Sequence, residues 1–454
     1  MRIFRRNLAA LAVGAALAGM ATGASAGGFA IGTQSGSGTG NAFAGGAAAA
    51  DDASVAWYNP ALMTLLPGMQ VAGALHVLKP SFKFENTAST SPVGTGEGGD
   101  GGDWAYVPNA FFTWGITPNL SFGLALNVPF GLKTEYDAGW RGQFTALKSE
   151  IKSVNLNPSV AYKVAPTVSI GAGLSYQKLE AELTKSAGAL GINKLEADDD
   201  GFGYNVGVMV QAAQNTRIGV HYRSKIKYEL EGNVSFSAAP VANGGVKADL
   251  EVPPSASLSI FQGVGNWEIL GDLTWTGWSS IKNLQVIRTT PATTVGPVPG
   301  AVGSTIANDQ FNWEDTWRYS VGANYKMSPQ MKLRFGLAFD ETPTNDVDRT
   351  PRLPTRTAPG SRSASSGSLR SRASSTSAMR TSSSRTLPST IPRAQRVSWS
   401  ASSRTRRTSS PSSFRCRSSS KPTTKAGRIP PGFLFRRSRE GGSPVWIPAS
   451  AGMT

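Results

Sequence analysis

The sequence predicts an all-β protein, a transmembrane antiparallel β-barrel. Three observations carry the prediction. An export signal opens the chain, a period-2 alternation of apolar and polar residues recurs along it, and short turns alternate with long connections. No run after residue 26 reaches about 18 uninterrupted apolar residues, which excludes a helical span. Closure into a barrel is required because lipid cannot satisfy the polar groups of an open strand edge.

The signal comprises a basic stretch with Arg2, Arg5 and Arg6, an apolar stretch from Leu8 to Ala21, and the small-residue cleavage pattern Ala24-Ser25-Ala26. The mature chain is expected to begin at Gly27. Residues 27–68 do not alternate. They are rich in Gly, Ala and Ser, then carry Asp51-Asp52 and Trp57-Tyr58-Asn59-Pro60-Ala61-Leu62. This segment is either an extracytoplasmic linker or a plug folded into the barrel, where many inward glycines leave room for it.

Strands follow over residues 69–354. Leu120, Phe122, Leu124, Leu126 and Val128 share one face. Val168, Ile170, Ala172, Leu174 and Tyr176 oppose Ser169, Gly171, Gly173 and Ser175. Ile218, Val220, Tyr222, Ile226 and Tyr228 read as one face against Arg217, His221, Arg223, Lys225 and Lys227. Met331, Leu333, Phe335, Leu337 and Phe339 oppose Lys332, Arg334 and Asp340. Short turns at 117–119, 165–166, 214–215, 265–266 and 328–330 separate long connections near 79–104, 130–149, 179–200, 232–248 and 279–312. Trp104, Tyr106, Trp114, Trp275, Trp278, Trp313, Trp317 and Tyr319 fall near strand ends, where interface girdles lie. About eleven strands are predicted before residue 341, several of the ~9–11 residues a tilted membrane strand needs.

The formal charge of +16 would suggest a nucleic-acid partner, but it is confined to the end of the chain. Residues 1–354 hold 26 Lys+Arg against 28 Asp+Glu; residues 355–454 hold 19 against Glu440 alone, with 27 Ser and the only cysteine, Cys416. No nucleic acid is therefore expected as a partner. The body has no thiol chemistry, and two histidines, His76 and His221, support neither a metal site nor a Ser/His hydrolase. No enzyme activity, cofactor or metal is expected. Asp198-Asp199-Asp200 reads as a solvated loop before it reads as a calcium site.

Six ordered motifs then resemble the outer-membrane long-chain fatty acid transporter family, which also includes aromatic-hydrocarbon channels. They are Gly28-Phe29; Ala50-Asp51-Asp52-Ala53 leading to Asn59-Pro60-Ala61; Val128-Pro129-Phe130-Gly131-Leu132-Lys133-Thr134; Asn155-Leu156-Asn157-Pro158-Ser159; Trp313-Glu314-Asp315-Thr316-Trp317-Arg318-Tyr319; and Thr350-Pro351-Arg352-Leu353-Pro354. The resemblance implies a 14-stranded barrel plugged by residues 27–68, with Asn59, Pro60 and Ala61 in the plug. It implies a hydrophobic ligand caught by extracellular loops, held in a pocket beside the plug and released sideways through the wall. Within that frame, Phe130, Leu132, Tyr136, Trp140, Phe144 and Leu147 are the candidate capture loop. Arg318, Arg217, Arg223 and Lys225 are candidate contacts for a carboxylate. The expected partners are a fatty acid or another hydrophobic small molecule and outer-membrane lipid, for a monomer. Aromatic or alkane hydrocarbon uptake, and a structural or adhesive barrel, are the alternatives.

Eleven strands fall three short of the family's number, and the composition breaks where the others should follow. Loss of one nucleotide near the Pro354 codon accounts for this. In that frame a Ser codon TCN arises from NTC, which encodes Leu, Ile, Val or Phe, so apolar strands become a Ser-rich tail. Pro354 onward permits L-P-D-E-D-R-T-W-L, and Ser398 to Ser420 permits an alternating strand that ends on Phe before a possible stop. Residues 355–420 are thus expected to be frameshifted and disordered, and 421–454 to be read-through. The rival is a genuine Arg/Ser-rich disordered tail. Resequencing around the Pro354 codon is expected to yield a frame that continues the barrel. The chain as written is expected to give no heat-modifiable folded band from outer membranes.

Overall fold

The computed structural model describes residues 27–86, 91, 93–328, 331–345, 347–354, 358–364 and 413–415. The export signal and most of the tail lie outside the described residues. Strands β1 (Met69–Leu78), β3 (Ala105–Gly115), β4 (Leu120–Asn127), β6 (Lys148–Ala165), β7 (Val168–Ser186) and β8 (Ile192–Ala213) pair in that order, each antiparallel to the next. The series continues through β9 (Thr216–Arg223), β12 (Ser255–Val264), β13 (Trp267–Thr276), β16 (Thr316–Ser328) and β17 (Met331–Asp340). Strands β5 (Gly131–Glu135), β10 (Ile226–Phe236), β11 (Gly244–Val252), β14 (Asn283–Arg288) and β15 (Thr305–Gln310) extend β4, β9, β12, β13 and β16 past a local break. With each broken strand taken as one crossing, eleven crossings precede residue 341, as the alternation predicted.

The strands are longer than expected. β6, β7 and β8 run for 18, 19 and 22 residues, so much of the predicted loop at 179–200 is a continuous hairpin. Their chemistry explains the length. In the lower half of β7, Ile170, Leu174 and Tyr176 point out and Ser169, Ser175 and Gln177 point in. In its upper half Lys178, Glu180 and Glu182 are on the outer side, while Leu179 is fully buried within. β8 changes at the same level, from outward Phe202 and Tyr204 to outward Asp198 and Asp200, with Leu195 and Ala197 inside. Below this level the wall is apolar outside, as lipid demands; above it the charges face water and the apolar side chains turn inward. Cross-strand ion pairs stitch the upper face, among them Lys178–Asp198 at 3.3 Å and Lys148–Glu182 at 2.7 Å. Asp198-Asp199-Asp200 therefore lies in a strand, not in a solvated loop.

One predicted face is divided. Ile218, Val220 and Tyr222 point outward, but Ile226 and Tyr228 are buried inside, and Lys225 and Lys227 point out. The cause is the break at Ser224, which bonds to Tyr204 through both its backbone N–H and its Oγ. An extra residue in a ladder sends every later side chain to the other face. Trp278 and Trp313 are likewise interior and not girdle residues; the breaks at 277–282 and 311–315 turn them in. Trp104, Tyr106, Trp114, Trp317 and Tyr319 are exposed, as a girdle requires, and Trp275 is half-buried.

Residues 27–66 lie against the inner face of the sheet. Helix α1 (Gly36–Gly40) packs on β1 and β17; α2 (Val55–Tyr58) and a 3-10 turn, Pro60–Leu65, pack on β3 and β4, the turn also reaching β6, β7 and β8. Wall glycines permit the approach. A Cβ on Gly219 would sit 1.7 Å from the Ala47 carbonyl oxygen, and one on Gly207 would sit 2.0 Å from Asn59 Oδ1. Asn59 is fully buried and donates to the carbonyls of Ala47 and Val208 at 2.8 and 3.1 Å. On the opposite strands Asp51 accepts from Lys332 at 2.9 Å and pairs with Arg334; Lys332 also reaches Glu268 at 2.8 Å, which takes Lys326 as well. Burial alone would raise the Asp51 pKa, but Arg334 and Lys332 hold its carboxyl well below the usual range.

The tail contributes two described strands. Residues 358–364 (β18) pair with β17, and 413–415 (β19) pair in parallel with β2 (Lys83–Glu85). Both positions fall in the stretch expected to be disordered. The unpaired edge of β17 explains the first, because any extended backbone can satisfy it. Among the described residues β1 has a strand partner on one edge only.

Asp51→Asn is expected to lower stability by about 3 kcal/mol, because it strands the Arg334 charge in a buried site; the urea midpoint in detergent measures this. A carboxyl with a depressed pKa stabilises fully above its unfolded value, about 4, and loses that contribution progressively as pH falls from there to the lower folded value. The anchor is therefore expected to survive at pH 4 in the wild type. In the frame-restored protein, Gly219→Val is expected to reduce the folded, heat-modifiable fraction, whereas Val220→Ala on the outer side is expected to leave it unchanged.

Candidate functional site

Above the level where the faces exchange, inward side chains from β7, β8, β10, β11, β14 and β15 pack together as an apolar chamber filled by the side chains themselves, represented by Leu179, Leu195, Leu230, Phe236 and Val246. Its floor on one side is aromatic. Phe29 of the N-terminal segment lies 5.1 Å from Trp278, 5.5 Å from Phe130 and 5.8 Å from Trp313, ring centroid to centroid, and Trp278 meets Trp313 edge-on at 5.0 Å. Leu353 closes the chamber from above. Its neighbour Arg352 is buried between Ser149 Oγ at 3.2 Å and Asp309 at 3.4 Å.

The wall beside this floor is interrupted. β3 pairs with β4 only over residues 110–115, and β5 pairs only with β6, so no described strand joins residues 105–109 to β5. Pro129 lacks an N–H and ends β4 before it can continue the ladder. The N-terminal segment fills in from within. The Ile31 N–H donates to the Pro129 carbonyl at 2.8 Å and the Gly131 N–H to the Phe29 carbonyl at 2.9 Å. Gln34 Nε2 donates to the Val128 carbonyl at 2.8 Å, and its Oε1 accepts from Asn127 at 2.8 Å.

Below the chamber lies a polar layer. Arg223 lies on the Trp57 ring, 3.4 Å from its centroid, and donates to the Trp57 carbonyl at 2.9 Å and to Ser175 Oγ at 3.0 Å. Buried Asn157, Gln177 and Asn205 surround it. Among the described residues Arg223, Arg217 and Arg318 have no carboxylate within ion-pair distance. Arg217 stacks on Phe261 at 3.9 Å, and Arg318 donates to the Ala42 carbonyl. Lys225 departs from the prediction: it faces outward and pairs with Glu251 at 2.8 Å.

The six residues of the candidate capture loop are divided. Residues 131–135 form a strand rather than a loop, and Phe130 with Leu132 belongs to the chamber. Tyr136 stacks on Trp140 at 4.5 Å, and both are buried. Phe144 is exposed and Leu147 half-buried. Asn59 is an anchor for the N-terminal segment, with Pro60 and Ala61 packed beneath β7. Sequence reasoning did not single out Trp278, Gln34 or Tyr228 as site residues. Trp278 carried the only advance signal, an aromatic beside a Gly and a break in alternation.

Similar proteins agree with this architecture. The long-chain fatty acid transport protein of Salmonella typhi is 27% identical over 358 residues, covering 70% of this chain and 79% of that protein. A crystallised FadL homologue from Pseudomonas aeruginosa matches with a TM-score of 0.61 at 23% identity, over 72% of this chain and 84% of that one. The toluene transporter TodX of Pseudomonas putida matches with a TM-score of 0.53 at 16% identity, over 74% and 87%. Residues 17–358 match the outer membrane protein transport protein family, OMPP1/FadL/TodX, and with three quarters of its length so matched this chain belongs to that family of outer-membrane β-barrels.

Proposed function

We propose that the protein carries long-chain fatty acids, or amphiphiles like them, across the outer membrane without covalent chemistry, acting as a monomer. The observation that supports this most is the exchange of faces: an apolar interior above the membrane, where a diffusion pore would be polar. In this reading residues 27–68 are the plug. The ligand enters from the external loops, where Phe144 is exposed, and its chain inserts among the chamber's side chains beside Phe29, Trp278 and Trp313. Its carboxylate reaches Arg223, a cation in a buried polar layer with no acid of its own. Arg318 and Arg217 are secondary contacts farther along the lumen. Withdrawal of Phe29 and Gln34 would then uncover the interruption beside Pro129, and the ligand would leave sideways into the membrane. The frameshift remains part of the proposal: the family match ends at residue 358, beside the break in composition, and the closing strands are sought in the other frame.

The four-ring cluster around Phe29 favours a second reading, uptake of aromatic hydrocarbons. Uptake of labelled fatty acid and of toluene by a deletion strain carrying the frame-restored gene separates the two. Fatty acid uptake is expected, and its absence beside intact toluene uptake would reverse the order. Arg223→Ala is expected to weaken fatty acid binding roughly 10–100-fold, the loss of a charge-assisted pair, and to leave toluene uptake unchanged. Arg223→Lys is expected to recover part of the fatty acid binding.

A further inference from the structure

The outer wall holds a groove on the side formed by β9, β12, β13, β16 and β17. Ile260, Gly271, Val321 and Leu337 form one cross-strand row on the outward face. Gly271 is the member of that row without a side chain. Leu273, Tyr319 and Phe339 form the row above it. A cavity of about 650 Å³ lies over Gly271 between flanking apolar groups, within the ~300–1,000 Å³ of small-molecule sites. A Cβ on Gly271 would meet only Ile260, at 3.1 Å, so packing of the wall does not itself require glycine.

The position of the groove identifies what fills it. Along β13 the outward side chains run from exposed Trp267 to half-buried Trp275. Gly271 is midway, about 13 Å from each at ~3.3 Å per residue, and so near the middle of the bilayer. From there the groove rises to Tyr319, at the level of the external aromatic girdle. The one carboxylate close by, Asp272, bonds to Ser259 and Thr274 on the inner side. Lipid gives no hydrophobic driving force to contacts within the membrane, so shape and van der Waals contact decide what stays bound. A groove whose accessible surface is almost entirely apolar, with Ser259, Asp272 and Ser320 only at its base, and which is open to the outer leaflet matches a single hydrocarbon chain.

We propose that this groove holds one acyl chain of an outer-leaflet lipid, with the headgroup at the level of Tyr319. The site is on the opposite side of the wall from the chamber and does not depend on what the chamber carries. Native mass spectrometry of the frame-restored protein, extracted from outer membranes in mild detergent, tests it. The wild type is expected to retain one more tightly bound lipid than Gly271→Phe, which fills the groove. Val208→Phe, on the outward face of β8, is expected to keep the wild-type complement. Where Gly271→Phe fails to give a heat-modifiable band, Ile260→Phe narrows the same groove from the adjacent strand. Equal lipid retention in wild type and groove variants overturns the proposal. So does loss of a free fatty acid in place of a lipid, which would make the groove a substrate site.

Discussion

Every peptide group within the membrane must find its hydrogen-bond partner in the protein, and the rest of the structure follows from how that is done. Along most of the wall the partner is the next strand. At residues 128–131 it is not, because Pro129 has no N–H and the ladder to β3 has ended. There the backbone of Phe29 and Ile31 supplies the missing bonds. The N-terminal segment is therefore part of the wall at one point, as well as an occupant of the interior. A segment that completes the wall by a few bonds can also leave it open, at the cost of those bonds and the three ring contacts of Phe29.

The remainder of that segment is held differently. Asn59 ties it to β8 and β9, and Asp51 ties it to β17, on opposite sides of the interior. Asn59 is buried, and half-buried Asp51 pairs with buried Arg334, so either would be expensive to release. Residues 29–34, by contrast, are held by neutral hydrogen bonds and ring contacts. The division between a fixed body and a loosely held end is thus written in the strength of the contacts, strongest where two charges share a carboxylate.

Much of this was legible in the sequence. The eleven crossings were countable because lipid imposes strict alternation on the membrane band. The many inward glycines left room for a segment on the inner face without showing that one lies there; Gly171, Gly207 and Gly219 are where residues 47–61 use that room. The breaks were harder. Ile226 and Tyr228 continue the parity of Ile218 and Val220, so alternation reads straight through Ser224 although the backbone inverts there. Trp278 and Trp313 look like girdle residues by position and become interior ones through the same kind of irregularity. A one-residue insertion alters no local composition, yet it reassigns every later side chain. Lys225 was misplaced for that reason alone. The upper strands were read as loops because their outward charges resemble solvated connections, while the apolar partners that make them strands sit at every second residue.

The exchange of faces also has a thermal consequence. Below the exchange, apolar side chains such as Leu174 rest in lipid or detergent whether or not the lumen is packed. Above it, Leu179, Leu230 and Phe236 are kept from water by the fold alone. The upper third of the barrel is in this respect a soluble protein's core mounted on a membrane protein's base. Unfolding it exposes apolar area to water and raises the heat capacity; opening the lower wall into detergent does so far less. The two ends of a single strand, β7 or β8, thus answer to different solvents. Cooling weakens the grip of the chamber on its own side chains and leaves the membrane band largely indifferent.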